Sequence, residues 1–317
     1  MNAHQYRVTS RGILLFAAMG VIWGMPYLFI RTTVSELSPA VLVLGRTALG
    51  ALILLPLALR GGALRTAVRA WRPLIAFAVV EVVGPWYFLS DAERRLPSAL
   101  TGLLISITPI VAVLVARFTG DERRVGVARL VGLGVGMAGV AVLGWGAAGD
   151  ADPWAVVEVL LAAIGYAVAP AIAQRRLSHV PPIPLTTACL AISALFWAGP
   201  AILTWPSTLP SSSTLASLAV LAVVCTALAF CLFFLLIREV GPARATAISY
   251  VNPVVAVAAG AVFLSEPLTP RMLVSGAALL LGTFLVTRAV PAAAPSPEHS
   301  PDPASTRQRR ASAEVTR

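Results

Sequence analysis

The chain contains no lysine; its 24 basic residues are all arginine. Charged residues make up 12% of the 317, about half the share of a soluble domain, while 58% are hydrophobic. So little charge cannot cover the surface of a water-soluble fold, and a polytopic membrane protein follows. Histidine and cysteine are scarce too. His4, His179 and His299 lie outside the apolar runs, which leaves no imidazole for metal ligation or acid–base work inside a membrane. Cys189, Cys225 and Cys231 form no CxxC pair and no disulfide framework, and they read as small buried hydrophobes. No metal and no cofactor are expected. The sequence has no HExxH, no nucleophile–base set and no P-loop. That argues against an intramembrane lipid-modifying enzyme or protease, and against ATP-driven pumping by this chain. A non-transporting scaffold or sensor needs a partner surface or soluble domain, and no loop between the apolar runs reaches about 20 residues. The net charge of +10 does not form a nucleic-acid surface, because the arginines sit in short clusters between apolar runs.

Those runs are what the sequence has in abundance. A helix needs about 20 apolar residues to cross the hydrocarbon core. Charge-free runs occur at 12–30, 96–116, 130–149, 245–265 and 272–287. Three more carry one charge each: 37–59 with Arg46, 73–90 with Glu81 and 153–174 with Glu158. The stretch 180–237 is too long for one helix, and "WPSTLPSSS" at 205–213 divides it. An all-α protein of ten transmembrane helices is expected. With the N-terminus inside, nineteen arginines fall in inside segments and four (Arg31, Arg94, Arg95, Arg271) outside. This bias places both termini in the cytoplasm and the protein in the cell membrane. Trp71, Trp145, Trp154 and Trp205 at span ends read as an interfacial belt. The first span lacks a small-x-small cleavage site and reads as an uncleaved helix. Residues 1–11 form a cytoplasmic segment, and the Pro- and Ser-rich tail 290–317 is expected to be disordered.

The spans fall into two sets of five, 12–149 and 150–289. Shifting the first by 144 residues lays Pro109 on Pro253, "PIVAV" on "PVVAV", Glu122 on Glu266 and Gly132 on Gly276. Five is odd, so the second set enters the membrane inverted, with Glu122 inside and Glu266 outside. Two inverted bundles can rock about a shared midplane site, which is alternating access.

The motifs that carry the repeat also carry a resemblance. "WGMPY" (Trp23–Tyr27), the mid-helix Pro109 and Pro253, "GDER" and "SEPLTP" after them, and Gly132, Gly139, Gly276 and Gly282 resemble the EamA-type ten-helix members of the drug/metabolite transporter superfamily. The resemblance covers roughly residues 12–289. It implies a polar-lined cavity between the halves and export or import of a small metabolite or drug-like solute, with efflux the expected direction. Glu81 departs from the family's pattern.

The candidate cavity residues are Trp23, Tyr27, Glu81, Thr101, Thr108, Glu158, Tyr166, Thr246, Tyr250 and Asn252. Thr101 and Thr108, with Ser98 and Ile105, share one stripe on the fourth span. Thr246, Ser249, Tyr250 and Pro253 share the matching stripe on the ninth. Interhelical hydrogen bonding is the alternative for both. Pro109 and Pro253 are candidate hinges, with a static kink as the alternative. Glu81, roughly 15 Å below the outer end of its span at about 1.5 Å per residue, lies at a depth close to that of Arg46. An Arg46–Glu81 ion pair is one expectation; Glu81 holding a proton or a cationic solute group is the other. Gly132 and Gly136 form a GxxxG that reads as close packing within the fold, with a homodimer seam as the alternative. The expected partners are a small-molecule solute and the bilayer, with no nucleic acid.

Overall fold

The computed structural model describes residues 9–118, 126–147, 152–245 and 247–288, and every regular element among them is helical. The main helices are α1 (Ser10–Thr33), bent at Met25, α2 (Pro39–Ala58), α3 (Trp71–Ala92) and α4 (Ser98–Val115), interrupted by a turn at Ser106 and Ile107. They continue as α5 (Val127–Ala147), α6 (Pro153–Arg176), α7 (Pro182–Leu203), α8 (Ser212–Val240), α9 (Ile248–Phe263) and α10 (Pro270–Arg288). Seven of these, α1 to α4 and α6 to α8, are long and apolar enough to cross a membrane. Shorter apolar stretches at Leu130–Val142, Ile248–Phe263 and Pro270–Val286 stand where the fifth, ninth and tenth spans are expected. Glu122, Thr246, the tail 290–317 and the Trp145 side chain lie outside the described residues. Trp71, Trp154 and Trp205 are exposed on the helical surface, as a belt requires.

Local chemistry sets the helix starts. Thr9, Ser38, Asp152 and Ser211 cap α1, α2, α6 and α8, each accepting from an early backbone N–H. Pro39, Pro153 and Pro182 open their helices, where a missing N–H costs nothing. In lipid every other backbone group has to be satisfied within the helix. Departures from that pattern therefore stand out. α3 makes a π-helical turn at Val79–Val83, and α8 makes another at Val223–Leu228, 144 residues later.

Packing follows the repeat. α2 lies along α7, α5 along α10, α4 along α9, α3 along α6 and α1 along α8. Exchanging each helix for the one five places away leaves this set of pairs unchanged. The α5–α10 contact is a glycine seam: a Cβ on Gly132 would stand 2.8 Å from the Gly282 carbonyl oxygen, and one on Gly282 would stand 2.6 Å from the Gly136 nitrogen. The GxxxG of α5 is thus spent inside the chain, on α10, and not on a seam between copies.

Connections gather at two ends. At one, Ser211 donates its N–H and hydroxyl to the Glu36 carboxylate at 2.6 and 2.5 Å, and Arg95 pairs with Asp152 at 3.1 Å. There Glu266 accepts from the Ser98 and Ala99 amides at 2.7 and 2.9 Å and from the Ser98 hydroxyl at 3.1 Å. The Ser211 bonds hold the Glu36 carboxyl below the usual carboxylate range. At the other end the Thr9 hydroxyl donates to Glu239 at 2.6 Å. This end carries Arg11, Arg60, Arg65, Arg69, Arg72, Arg175, Arg176, Arg238 and Arg244.

Candidate functional site

A cavity of about 710 Å³ lies between the halves. Its walls come from α1, α2, α3, α4, α6, α8, α9 and α10, so neither half makes it alone. The lining begins at Ile30 and Leu89, and runs past Glu81, Tyr166 and Cys225 to Ala112, Pro170, Ala247 and Phe284 in the arginine-rich half. The opposite end is packed shut: Thr33, Glu93, Leu96 and Ser98 are fully buried there. Arg31 helps to close it by donating to the Glu93 backbone carbonyl. The cavity therefore extends toward the arginine-rich end and stops short of the other.

Most of the expected residues meet at this cavity. Trp23, Tyr27, Glu81, Thr108, Tyr166, Tyr250 and Asn252 line it, and so do Pro109 and Pro253. Trp23 packs against Phe230 and Phe233 at centroid distances of 5.8 and 4.6 Å, which makes an aromatic wall. With its nitrogen toward the carbonyls of Gly20 and Ile248, the Asn252 amide donates at 3.2 and 3.1 Å and ties α9 to α1. The Tyr250 hydroxyl donates to the Thr283 carbonyl at 3.3 Å, tying α9 to α10.

Three expectations are corrected. Thr101 is fully buried and returns its hydroxyl to the Pro97 carbonyl at 3.2 Å, because the stripe it shares with Thr108 is cut by the turn at 106–107. Glu158 is buried away from the cavity and pairs with Arg95 at 2.5 Å, in a cluster where Arg95 also holds Asp91 at 2.6 Å. Packing of α6 on α3 turns it that way. Arg46 and Glu81 both line the cavity, yet among the described residues no ion pair joins them. Arg46 instead donates Nε to the Thr226 hydroxyl at 2.9 Å and lies 3.8 Å over the Trp86 ring. Thr226, within the π-helical turn of α8 at Val223–Leu228, in turn donates to the Leu221 carbonyl at 2.8 Å. One bond and one cation–π contact, the latter worth about 2 kcal/mol when desolvated, thus hold the guanidinium away from Glu81.

Sequence reasoning missed Trp86, Phe230 and Phe284, which complete the walls, and the part played by Thr226 and Cys225. An aromatic residue five positions after a buried acid was a readable signal for Trp86. The azimuth of Thr226 was not, because it depends on the π-helical turn.

Comparison with known proteins agrees with this architecture. A relative from Escherichia coli (strain K12), "Uncharacterized inner membrane transporter YedA", is 28% identical over 276 residues, covering 85% of this chain and 88% of the relative. A "Probable terminal-alkyne amino-acid exporter" from Streptantibioticus cattleyicolor is 28% identical over 230 residues, covering 68% and 73%. A solved crystal structure with 23% identity matches 88% of this chain and 97% of the other at a TM-score of 0.62, which speaks to the fold alone. The EamA-like transporter family matches the chain twice, over residues 10–145 and 153–288, and with nearly the whole helical region so covered the chain belongs to that family.

Proposed function

We propose that this chain is a secondary transporter that exports a small organic solute across the cell membrane by alternating access. One observation carries the reading: a cavity of about 710 Å³, walled by helices of both halves and closed at one end. That size suits a metabolite or drug-like molecule. In this reading the ten helices all span the bilayer, in two inverted sets of five. The arginine-rich end is cytoplasmic, as the positive-inside rule directs, and the cavity is in its inward-facing state. The relative named as an exporter supports the direction.

The lining suggests how the solute is held. Trp23, Tyr27, Tyr166 and Tyr250 offer faces to an apolar body, and Thr108 and Asn252 offer polar edges. Glu81 has no hydrogen-bond partner among the described residues and faces the cavity, where a cationic group of the solute can neutralise it. Pro253 in α9 and the turn just before Pro109 in α4 serve as hinges. Purified protein in liposomes tests the reading, with candidate solutes chosen from a metabolite and toxin screen of deletion and overexpressing cells. Concentrative or counterflow uptake supports it; product formation or inertness toward every hit in the screen refutes it. Single cysteines at positions 122 and 266 test the inversion, since they should label from opposite sides of the membrane.

A further inference from the structure

Buried polar groups in native structures are nearly always hydrogen-bonded. Glu93 departs from that rule. It follows α3, on the connection to α4, with no exposure, and neither carboxylate oxygen has a hydrogen-bond partner. Its backbone carbonyl accepts from Arg31, so the residue is pinned while its side chain is left unsatisfied. The charged and titratable groups around it come from three elements: Glu266 on the α9–α10 connection, Arg31 and Tyr27 on α1, and Arg46 on α2. Glu266 acts only as an acceptor, from Ser98 and Ala99, so it offers an ionised Glu93 no donor. Arg46 is engaged by Thr226 and Trp86. An ionised carboxylate in such a place would be desolvated, unpaired and beside a second carboxylate.

We infer that Glu93 is a proton-binding site whose protonated form latches the Ser98–Glu266 end shut. Burial, and after it the nearby Glu266, push the Glu93 carboxyl well above the ordinary carboxylate range in this closed state. When that end opens, water reaches the side chain and the group returns toward its ordinary value. Closing therefore takes up one proton. The latch is fully set below the ordinary carboxylate range and weakens as pH rises toward the raised value, by up to about tenfold per pH unit. Glu93 is not among the cavity-lining residues, so its proton enters and leaves at the latched end. The site biases the conformational equilibrium without carrying a proton across. The inference rests on the proposed alternating access, because it needs this end to open in part of the cycle.

The test uses the full chain in lipid nanodiscs, with the three native cysteines replaced by alanine and Ser98→Cys as reporter. Labelling by a maleimide is measured from pH 6 to pH 9 and divided by that of an exposed control, Ser213→Cys. The ratio should rise at least about tenfold in the parent and stay low and flat with Glu93→Gln. With Glu266→Gln, which removes the neighbouring charge but keeps an acceptor, the rise should move to lower pH. The same rise in Glu93→Gln, or no rise in the parent, overturns the site. If Glu93→Gln does not assemble, an unmoved midpoint in Glu266→Gln overturns it instead. A parent with flat labelling that still carries solute in vesicles sinks the latch and leaves the transporter reading intact.

Discussion

In the first half the cavity receives Arg46 from α2 and Glu81 from α3. In the second half the corresponding positions, 143 and 144 residues on, are Cys189 on α7 and Cys225 on α8. The correspondence is spatial as well, for Cys225 lies near Arg46 and Cys189 near Glu81. Helix starts at proline, π-helical turns and the glycine seam recur in both halves, whereas the charges do not. Duplication has kept the framework that bends and packs, and one half alone has taken on the charge that a solute would meet.

Moving that charge is the strongest way to break the comparison. Glu81→Gln should insert normally yet lower the flux of a cationic solute by about tenfold or more, read in liposomes. Adding Cys225→Glu to Glu81→Cys puts the carboxylate at the matching site of the other half. Partial recovery of flux is expected if the cavity is nearly symmetric, and none if Tyr166 and its neighbours fix one orientation. The prolines sharpen the same contrast. Pro253 lies inside α9 and removes a hydrogen bond there, while Pro109 follows directly on the turn that already interrupts α4. Pro253→Ala should therefore slow transport by about fivefold through a straightened α9. Thr226→Val releases Arg46 from its one hydrogen bond, worth about 1 kcal/mol, and should weaken solute binding by roughly threefold to fivefold in a titration. Pro109→Ala should change the rate least, by less than about twofold, since the turn at Ser106 and Ile107 remains.

The order of the helices, and the end of the bundle at which each connection lies, were legible in the sequence, because apolar length and arginine clusters mark where each run starts and stops. The pairs Glu36–Ser211, Arg95–Asp152 and Ser98–Glu266 join the connections that strict alternation puts at one end. Rotation about each helix axis was not legible. Depth alone made Arg46 and Glu81 plausible partners, but their angular positions are set by the helices packed on α2 and α3, and by a π-helical turn with no signature in hydropathy. Glu158 illustrates the same limit: it stands near the start of α6, as its apolar run implies, yet its facing came from α3 and Arg95. Glu93 went unnoticed because it looks like a loop acid until Arg31, Glu266 and the α4 N-terminus close over it.

The π-helical turns also date the architecture. A π-helical turn holds one residue more than the α-helical turn it replaces, which is what a single-residue insertion into a helix would leave. Val79–Val83 and Val223–Leu228 carry that insertion at matching positions in α3 and α8. One ancestral insertion explains both more simply than two coincident ones, and it would then precede the duplication. If the proposed inverted arrangement holds, a single-repeat ancestor would have had to meet a second copy of itself, inserted the other way up, to enclose a cavity.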